Sequence, residues 1–320
     1  MRKNHYKIIA VALLFIMTII ACNKDKQVTG VTLEPTTLTL AVGETATLTA
    51  TVHPNDATNK AVRWTSSDGN IATVTDGEIS AKKVGTATIT VITEDGKYRA
   101  TCTVTIIPEG VIINGVKWAT RNLAAHGKFV ENPKDHGALF QWGRAGDGHE
   151  QYINADYPSG TVSGSENFDI YGQIVSTHAA YGKFIRQSTF PIDWRDPQDD
   201  ALWNVGNKDA PVKTANDPCP AGWRLPTQTE LASLGIGEWT NTPAAGRYFG
   251  SGDNSLFLPA AGCRRGDSGL LIAVGTHGYY WSSIPVGTGA YSLNLHTLDY
   301  PDYTIYRRAN GFSVRCVAEH

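Results

Sequence analysis

The sequence predicts a mainly β chain with two bodies, a β-sandwich followed by an α+β body. Three observations carry that reading. From Val28 to Ile107, apolar and polar residues alternate with a period of two, which marks half-buried strands. After Val111 the alternation fades, returning only near the end, and Trp, Gly, Asp and Asn become frequent. A single short helix is signalled, after Thr227, so helix is a minor component. The 32 glycines, 13 tyrosines and 8 tryptophans agree with a turn-rich, aromatic chain, and 320 residues suit two domains.

The first segment, MRKNHYKIIAVALLFIMTIIAC, opens with Arg2, Lys3 and Lys7. An uncharged apolar run of 13 residues follows, from Ile8 to Ile20. That is short of the roughly 20 apolar residues a spanning helix needs, and it has the form of a secretory signal. Ile19-Ile20-Ala21-Cys22 resembles the lipobox of bacterial lipoproteins. The resemblance implies removal of residues 1–21, a lipid on the Cys22 thiol, and residues 22–27 as a lipidated tether. Asn23 in place of Asp implies release from the inner membrane, and Lys24-Asp25 resembles a surface-export tag. The expected location is the outer membrane, lipid-anchored and exposed at the cell surface. Acyl chains anchor such a protein at about 0.8 kcal/mol per buried CH₂.

Without residues 1–21, which hold three basic residues and no acidic one, 25 Lys and Arg face 30 Asp and Glu, a net charge of −5. Nucleic-acid binding usually needs a basic patch, so that class is disfavoured. Beyond Cys22, Cys102, Cys219, Cys263 and Cys316 remain, in a compartment that permits disulfides.

In ETATLTATV, Ala46, Leu48, Ala50 and Val52 share one face, and Thr45, Thr47, Thr49 and Thr51 the other. TATITV repeats the pattern with Ala87, Ile89 and Val91. Turn signals such as Asp76-Gly77 and Asp95-Gly96 separate many short strands, as in a β-sandwich. Trp64 suits its core. Cys102 is in phase with Ala100, Val104 and Ile106, which predicts a buried thiol. Residues 28–107, beginning VTGVTLEPTTLTLAVGETATLTATV, resemble the bacterial Ig-like domain of group 2. That resemblance implies an Ig-like sandwich used as a spacer or adhesion module. Pro108-Glu109-Gly110 leaves little room to swing, so the first body is expected to act as a semi-rigid stalk.

The second body carries GVKWATRNL, FQWGRA, DPCPAGWRLPTQTEL, LPAAGCRR, GYYWSS and NGFSVRCV in that order. Over residues 111–320 this resembles the Fibrobacter succinogenes major paralogous domain, similar in turn to C-type lectin-like and formylglycine-generating-enzyme folds. The resemblance implies an α+β fold more than an activity. Thr227 and Glu230 form a T-x-x-E capping box, which predicts a helix from Gln228 to Leu234 stopped by Gly235. Leu231 and Leu234 share its buried face, with Trp223 and Leu225 packed on them. Asn310-Gly311 is a hairpin signal, and Phe312, Val314 and Cys316 alternate along the last strand. The related folds bond a cysteine before the helix to one in the last strand. The resemblance therefore implies a disulfide between Cys219 and Cys316 and leaves Cys263 without an evident partner.

Sharper chemistry finds little support. The segment Tyr291–Asn310 lacks the cysteine pair of the formylglycine-generating enzyme, and the acidic motifs of calcium-dependent lectins do not occur. Gly266-Asp267-Ser268-Gly269 imitates a protease nucleophile motif but reads better as a hairpin loop. The histidines show no metal-binding spacing. One segment, PIDWRDPQDDALW, groups Asp193, Asp196, Asp199 and Asp200 around Trp194 and Trp203. Carboxylates suit calcium and exposed rings suit sugars, so these six residues are the candidate ligand-binding set, with calcium as the one conceivable ion and no other cofactor. The alternative is a solvated loop over buried tryptophans, neutralised by Arg195.

The expected function is adhesion or recognition, with the C-terminal body binding a glycan or protein and no catalysis. The alternatives are a structural accessory of a surface assembly or pilus, and a hydrolase.

Overall fold

The computed structural model describes residues 25–151, 158–190, 192–252, 254–297 and 300–319. The expected signal segment and Cys22 lie outside them. Strand occupies 44% of the described residues and helix 3%, which places the fold in the mainly β class.

Nine strands build the first body: β1 Gly30–Glu34, β2 Thr37–Ala41, β3 Thr45–Thr47, β4 Thr49–His53, β5 Val62–Ser66, β6 Ala72–Thr75, β7 Glu78–Ala81, β8 Gly85–Thr93 and β9 Arg99–Ile107. They form a sheet in the order β2-β9-β8-β5, a second in the order β3-β7-β6, and the pair β1-β4. The period-two residues face inward: Leu48, Ile79, Ala87, Ile89, Val91, Val104 and Ile106 are all buried in one cluster. Cys102 lies among them as a free, fully buried thiol, and Trp64 packs half-buried against the same core. Asp76 and Gly77 both take positive φ, 49° and 88°, in the two-residue turn that joins β6 to β7. A Cβ on Gly77 would lie 2.7 Å from the Leu48 carbonyl oxygen, so glycine is required there.

The second body begins with β10 (Gly110–Ile113) and β11 (Val116–Ala119). The final strand, Val317–Ala318, runs between β11 and Trp223–Arg224. The end of the body is thus clamped against its own beginning. The Cys219–Cys316 disulfide fastens the same corner. Helix α1 spans Gln228–Ser233, with both halves of the capping box formed by Thr227 and Glu230 and with Gly235 at φ 76° beyond it. Leu231 and Leu234 bury into a cluster with Trp118, Phe249, Leu293 and Leu295.

Two expectations are corrected. Trp223 and Leu225 do not join the helix leucines; they sit in the cluster around the disulfide with Trp142, Trp194, Trp281 and Phe312. The strand carrying Trp223 is paired to Val317–Ala318, which turns it toward that cluster. Nor is Gly311–Val317 one alternating strand. All seven residues are buried, Ser313 and Arg315 included, because this segment crosses the interior between two sheets. Asn310 does mark a turn, its N–H bonded to the Arg307 carbonyl at 3.0 Å, but the flanking strands enter different sheets and make no hairpin.

The interior of this body is built from rings and guanidinium groups. Arg144 lies over Trp194, Arg195 over Phe168 and Arg308 over Trp142, at 5.4, 4.4 and 4.6 Å from the ring centres. Arg315, fully buried, donates to Asn122 Oδ1 at 2.9 Å and to the Ala119 carbonyl at 3.2 Å, and burial lowers its pKa to about 10. Between the bodies, Arg121 donates to Glu44 Oε1 at 2.6 Å while Glu44 Oε2 accepts from the Ala41 N–H. Thr39 donates to Asn132 at 3.0 Å beside that ion pair. The joint is therefore bridged as well as short.

Candidate functional site

The acidic tryptophan segment is not a surface platform. Trp194 and Trp203 are 0% exposed. Their indole N–H groups donate to the carbonyls of Trp142 at 2.7 Å and Arg144 at 3.1 Å. A tryptophan whose one polar atom is satisfied buries readily, and these two plug the core. The expected ligand-binding set is corrected accordingly. Its carboxylates also diverge. Asp199 accepts from Arg195 at 2.9 Å, and Asp200 pairs with Arg308. Asp193 is buried, accepts from Gln198 at 2.8 Å, and has its pKa raised by burial. Asp196 is exposed, in a two-residue parallel pairing opposite Ser163. No calcium-like convergence of the four exists.

Among the described residues, Asp147, His149 and Glu150 are the one grouping able to hold a metal ion. His149 is fully buried, and its Nε2 accepts from the Gln141 N–H at 3.1 Å. The ring proton therefore sits on Nδ1, 2.6 Å from Asp147. A metal on Nδ1 would move that proton to Nε2, against the Gln141 donor. Burial lowers the His149 pKa, with Arg144 adding to it. For Asp147, burial works upward, but His149 and Arg144 outweigh it and hold the carboxyl well below its usual range. The residues fit a neutral, structural histidine rather than a metal centre.

A different site opens on the outside of the second body. A cavity of about 280 Å³ adjoins the hairpin of Cys263–Arg264 and Leu271–Ile272. Its wall is aromatic. Tyr279 and Phe312 stack at 4.9 Å, and Tyr306 meets both edgewise, at 5.5 and 5.1 Å. Phe312 is backed by Trp281 at 4.2 Å, so the wall is continuous with the core. Ile192, Ile272 and the Cys263 thiol complete the lining. Burial pushes Cys263 up to about 12, so it remains a protonated, apolar group. Ile192 is held at φ 58°, an outlier for a β-branched residue, which marks this wall as a place where the fold tolerates strain.

Polar groups gather at the edge: Arg265, Asp267, Arg307 and Asn310. Arg265 and Asp267 are paired through two hydrogen bonds. The Gly266–Gly269 stretch is the expected hairpin loop, closed by Arg265 N–H to the Leu270 carbonyl at 2.9 Å. Leu270 and Val274, on either side of Leu271–Ile272 in the chain, are 61 and 42% exposed, and Phe190 and Ile305 are 71 and 47% exposed. Ile305 and Phe190 line an adjoining depression that shares Tyr306 and Arg307.

Sequence reasoning missed this site. GYYWSS and NGFSVRCV stood out as fold markers, yet their rings meet Tyr306 and Ile192 only in three dimensions. The one local signal was Cys263, apolar and partnerless.

Residues 27–104 match the family model for the bacterial Ig-like domain (group 2). They form a bacterial Ig-like domain. The chain is 54% identical over 81 residues to an Ig-like virion protein of Serratia phage KSP90, covering 25% of this chain and 31% of that protein. It is 45% identical over 78 residues to a minor capsid protein of Enterobacteria phage T3, covering 24% and 18%. An alpha-L-arabinofuranosidase of Bifidobacterium longum subsp. longum is 49% identical over 72 residues, covering 22% of this chain and 7% of the enzyme, and that likeness lies in the Ig-like domain. The chain spans less than a third of the length of each of these relatives. Among solved structures, domains 4 and 5 of the S-layer protein SbsC align with a TM-score of 0.22 at 21% identity, over 25% of this chain and 51% of that one.

Proposed function

We propose that the chain is a surface lipoprotein acting in recognition. Cys22 carries the lipid anchor in the outer membrane, facing the cell exterior. The Ig-like domain is the stalk. The second body, residues 111–320, has the C-type lectin-like or formylglycine-generating-enzyme arrangement and binds a protein or glycan ligand. The disulfide from Cys219, ahead of the helix, to Cys316, just before the final strand, and the clamping of that strand support that arrangement.

The observation that carries the functional reading is the aromatic-walled cavity, with exposed Ile272 in its lining and exposed Phe190 and Ile305 in the depression beside it. Apolar groups gathered on a surface around a concave site are a mark of binding. Binding rather than catalysis is favoured by the lining: the Cys263 thiol stays protonated and Asp267 is tied to Arg265. A net charge of −5 for residues 22–320 disfavours nucleic acid as the partner.

A structural role in a surface assembly is the second reading. It is favoured by the likeness of the Ig-like domain to a virion protein. Particles bearing the full chain, tested for adhesion to protein-coated and glycan-coated surfaces, separate the two. Recognition predicts adhesion that Ile272→Asp abolishes. Absent adhesion, or adhesion indifferent to Ile272→Asp, favours the structural role. Intact mass of the membrane fraction tests the anchor, with acyl mass expected on Cys22 and none after Cys22→Ser.

A further inference from the structure

The lining of the cavity described above combines an apolar set with a donor-rich one. The apolar set is Ile192, Ile272, Phe312 and the protonated Cys263 thiol. None of these offers a hydrogen-bond acceptor of any strength. In the other set, the balance of donors and acceptors is one-sided. Arg307 is exposed, lies 5.7 Å over Phe190, and has no carboxylate partner among the described residues. Asn310 Oδ1 accepts from the Gly266 N–H at 2.8 Å, which fixes the amide and leaves its NH₂ free to donate. Tyr279 and Tyr306 meet edgewise at 5.5 Å, and each carries a hydroxyl able to donate. Asp267 is the sole carboxylate of the lining, and Arg265 occupies it.

A ligand that completes this site is apolar where it enters and negatively charged where it stops. A sugar ring fits poorly, because hydroxyls on its buried faces would lie against isoleucine and thiol with no partner. A leucine- or phenylalanine-sized side chain suits about 280 Å³ without that penalty. The exposed Phe190 and Ile305 of the adjoining depression also suit a polypeptide neighbour rather than a carbohydrate. A large apolar side chain and a carboxylate occur on one residue only at the C-terminus of a chain. Resting on the recognition reading, we propose that the cavity captures the C-terminal residue of a partner protein, its apolar side chain inside and its α-carboxylate on Arg307 and Asn310. Arginine is the side chain best shaped for such a bidentate contact.

Fluorescence anisotropy on the full chain in detergent tests this, using short labelled peptides ending in Phe, Leu or Ser, each as free acid and as C-terminal amide. The Phe and Leu acids should bind, with amidation weakening them by about tenfold or more and the Ser peptide weakest. Arg307→Gln should erase the difference between acid and amide, with the circular dichroism spectrum unchanged. Ile192→Gly relieves the left-handed strain and removes part of the wall, so it should weaken acid and amide alike without loss of fold. Equal binding of acid and amide, or an acid preference that survives Arg307→Gln, overturns the proposal. So does binding of a glucuronate-bearing glycan, lost in Arg307→Gln, where no peptide binds; in that case recognition stands and only its ligand changes. If neither probe binds and the particles fail to adhere, the recognition reading falls with it.

Discussion

Residues 28–106 close around Ile79, Ile89, Val91, Val104 and Ile106, whereas residues 111–318 close around five fully buried tryptophans and a set of buried arginines. An aliphatic side chain asks only for contact, so the first core leaves its backbone free to pair strand with strand. An indole N–H, in contrast, calls for an acceptor, and four of the five find one, Trp118 being the exception. Trp142, Trp194, Trp203 and Trp281 take theirs from the carbonyls of Ser282, Trp142, Arg144 and Phe140. The carbonyls of Trp142 and Arg144 come from irregular backbone that no ladder satisfies, and that of Ser282 from a strand whose register shifts between Trp281 and Pro285. The second body thus spends its aromatic and guanidinium donors where the first spends strand pairing, and it can be half loop yet closed.

That contrast can be broken most sharply at the disulfide. Cys219→Ser with Cys316→Ser opens a connection of 97 residues, worth about 4.7 kcal/mol by chain entropy. In two-transition thermal unfolding the second body should lose most of its stability, while the Ig-like transition, whose Cys102 is unbonded, stays in place. Trp194→Ala comes next. It should cost about 3–5 kcal/mol in the second transition alone, against about 0.5–1.5 for Ile89→Val in the first.

A smaller effect follows pH. Burial raises the Asp217 carboxyl to about 7, although the N–H groups of Leu225 and Cys219 donate to it. Between an unfolded value near ~4 and the folded one, the folded body holds a proton that the unfolded chain has released. Stability of the second body should therefore fall as pH rises from about 4 to about 7, by at most about 1.4 kcal/mol per pH unit, and level off above. Asp217→Asn should flatten the curve, and a rise over that window would contradict the assignment. The smallest change is expected from Glu44→Gln at the joint. Glu44 is partly exposed, so the pair contributes about 1 kcal/mol or less. Its signature is a wider spread of shapes in small-angle scattering, with both melting transitions retained.

The first body was legible because its signals are local. The alternation of ETATLTATV and the Asp76-Gly77 turn each specify geometry within a few residues, and Cys102 declared its burial by phase. The capping box at Thr227 was legible for the same reason. The candidate site was not. The segment around Trp194 looked like a platform because composition cannot say which carbonyl will take an indole proton. Tyr279, Tyr306, Phe312 and Ile192 come together only after two sheets and the loop carrying Ile192 have packed, and no spacing within any one segment announces it. Arg315 falls in the same class, since an alternating strand would have put it in water.

The parallel pairing of β2 with β9 decides how the Ig-like domain answers tension. Chain enters β2 from the N-terminal side and leaves β9 toward the second body, and Thr37–Ala41 lies in register beside Thr103–Ile107. A pull on the two ends of the domain slides these strands lengthwise past each other. All the bonds of the pair then stretch together, instead of opening one after another as in a hairpin peeled from its turn. Once β1 has been drawn off β4, that five-residue register is the clasp that resists extension, and its strength depends on how many rungs share the strain at once.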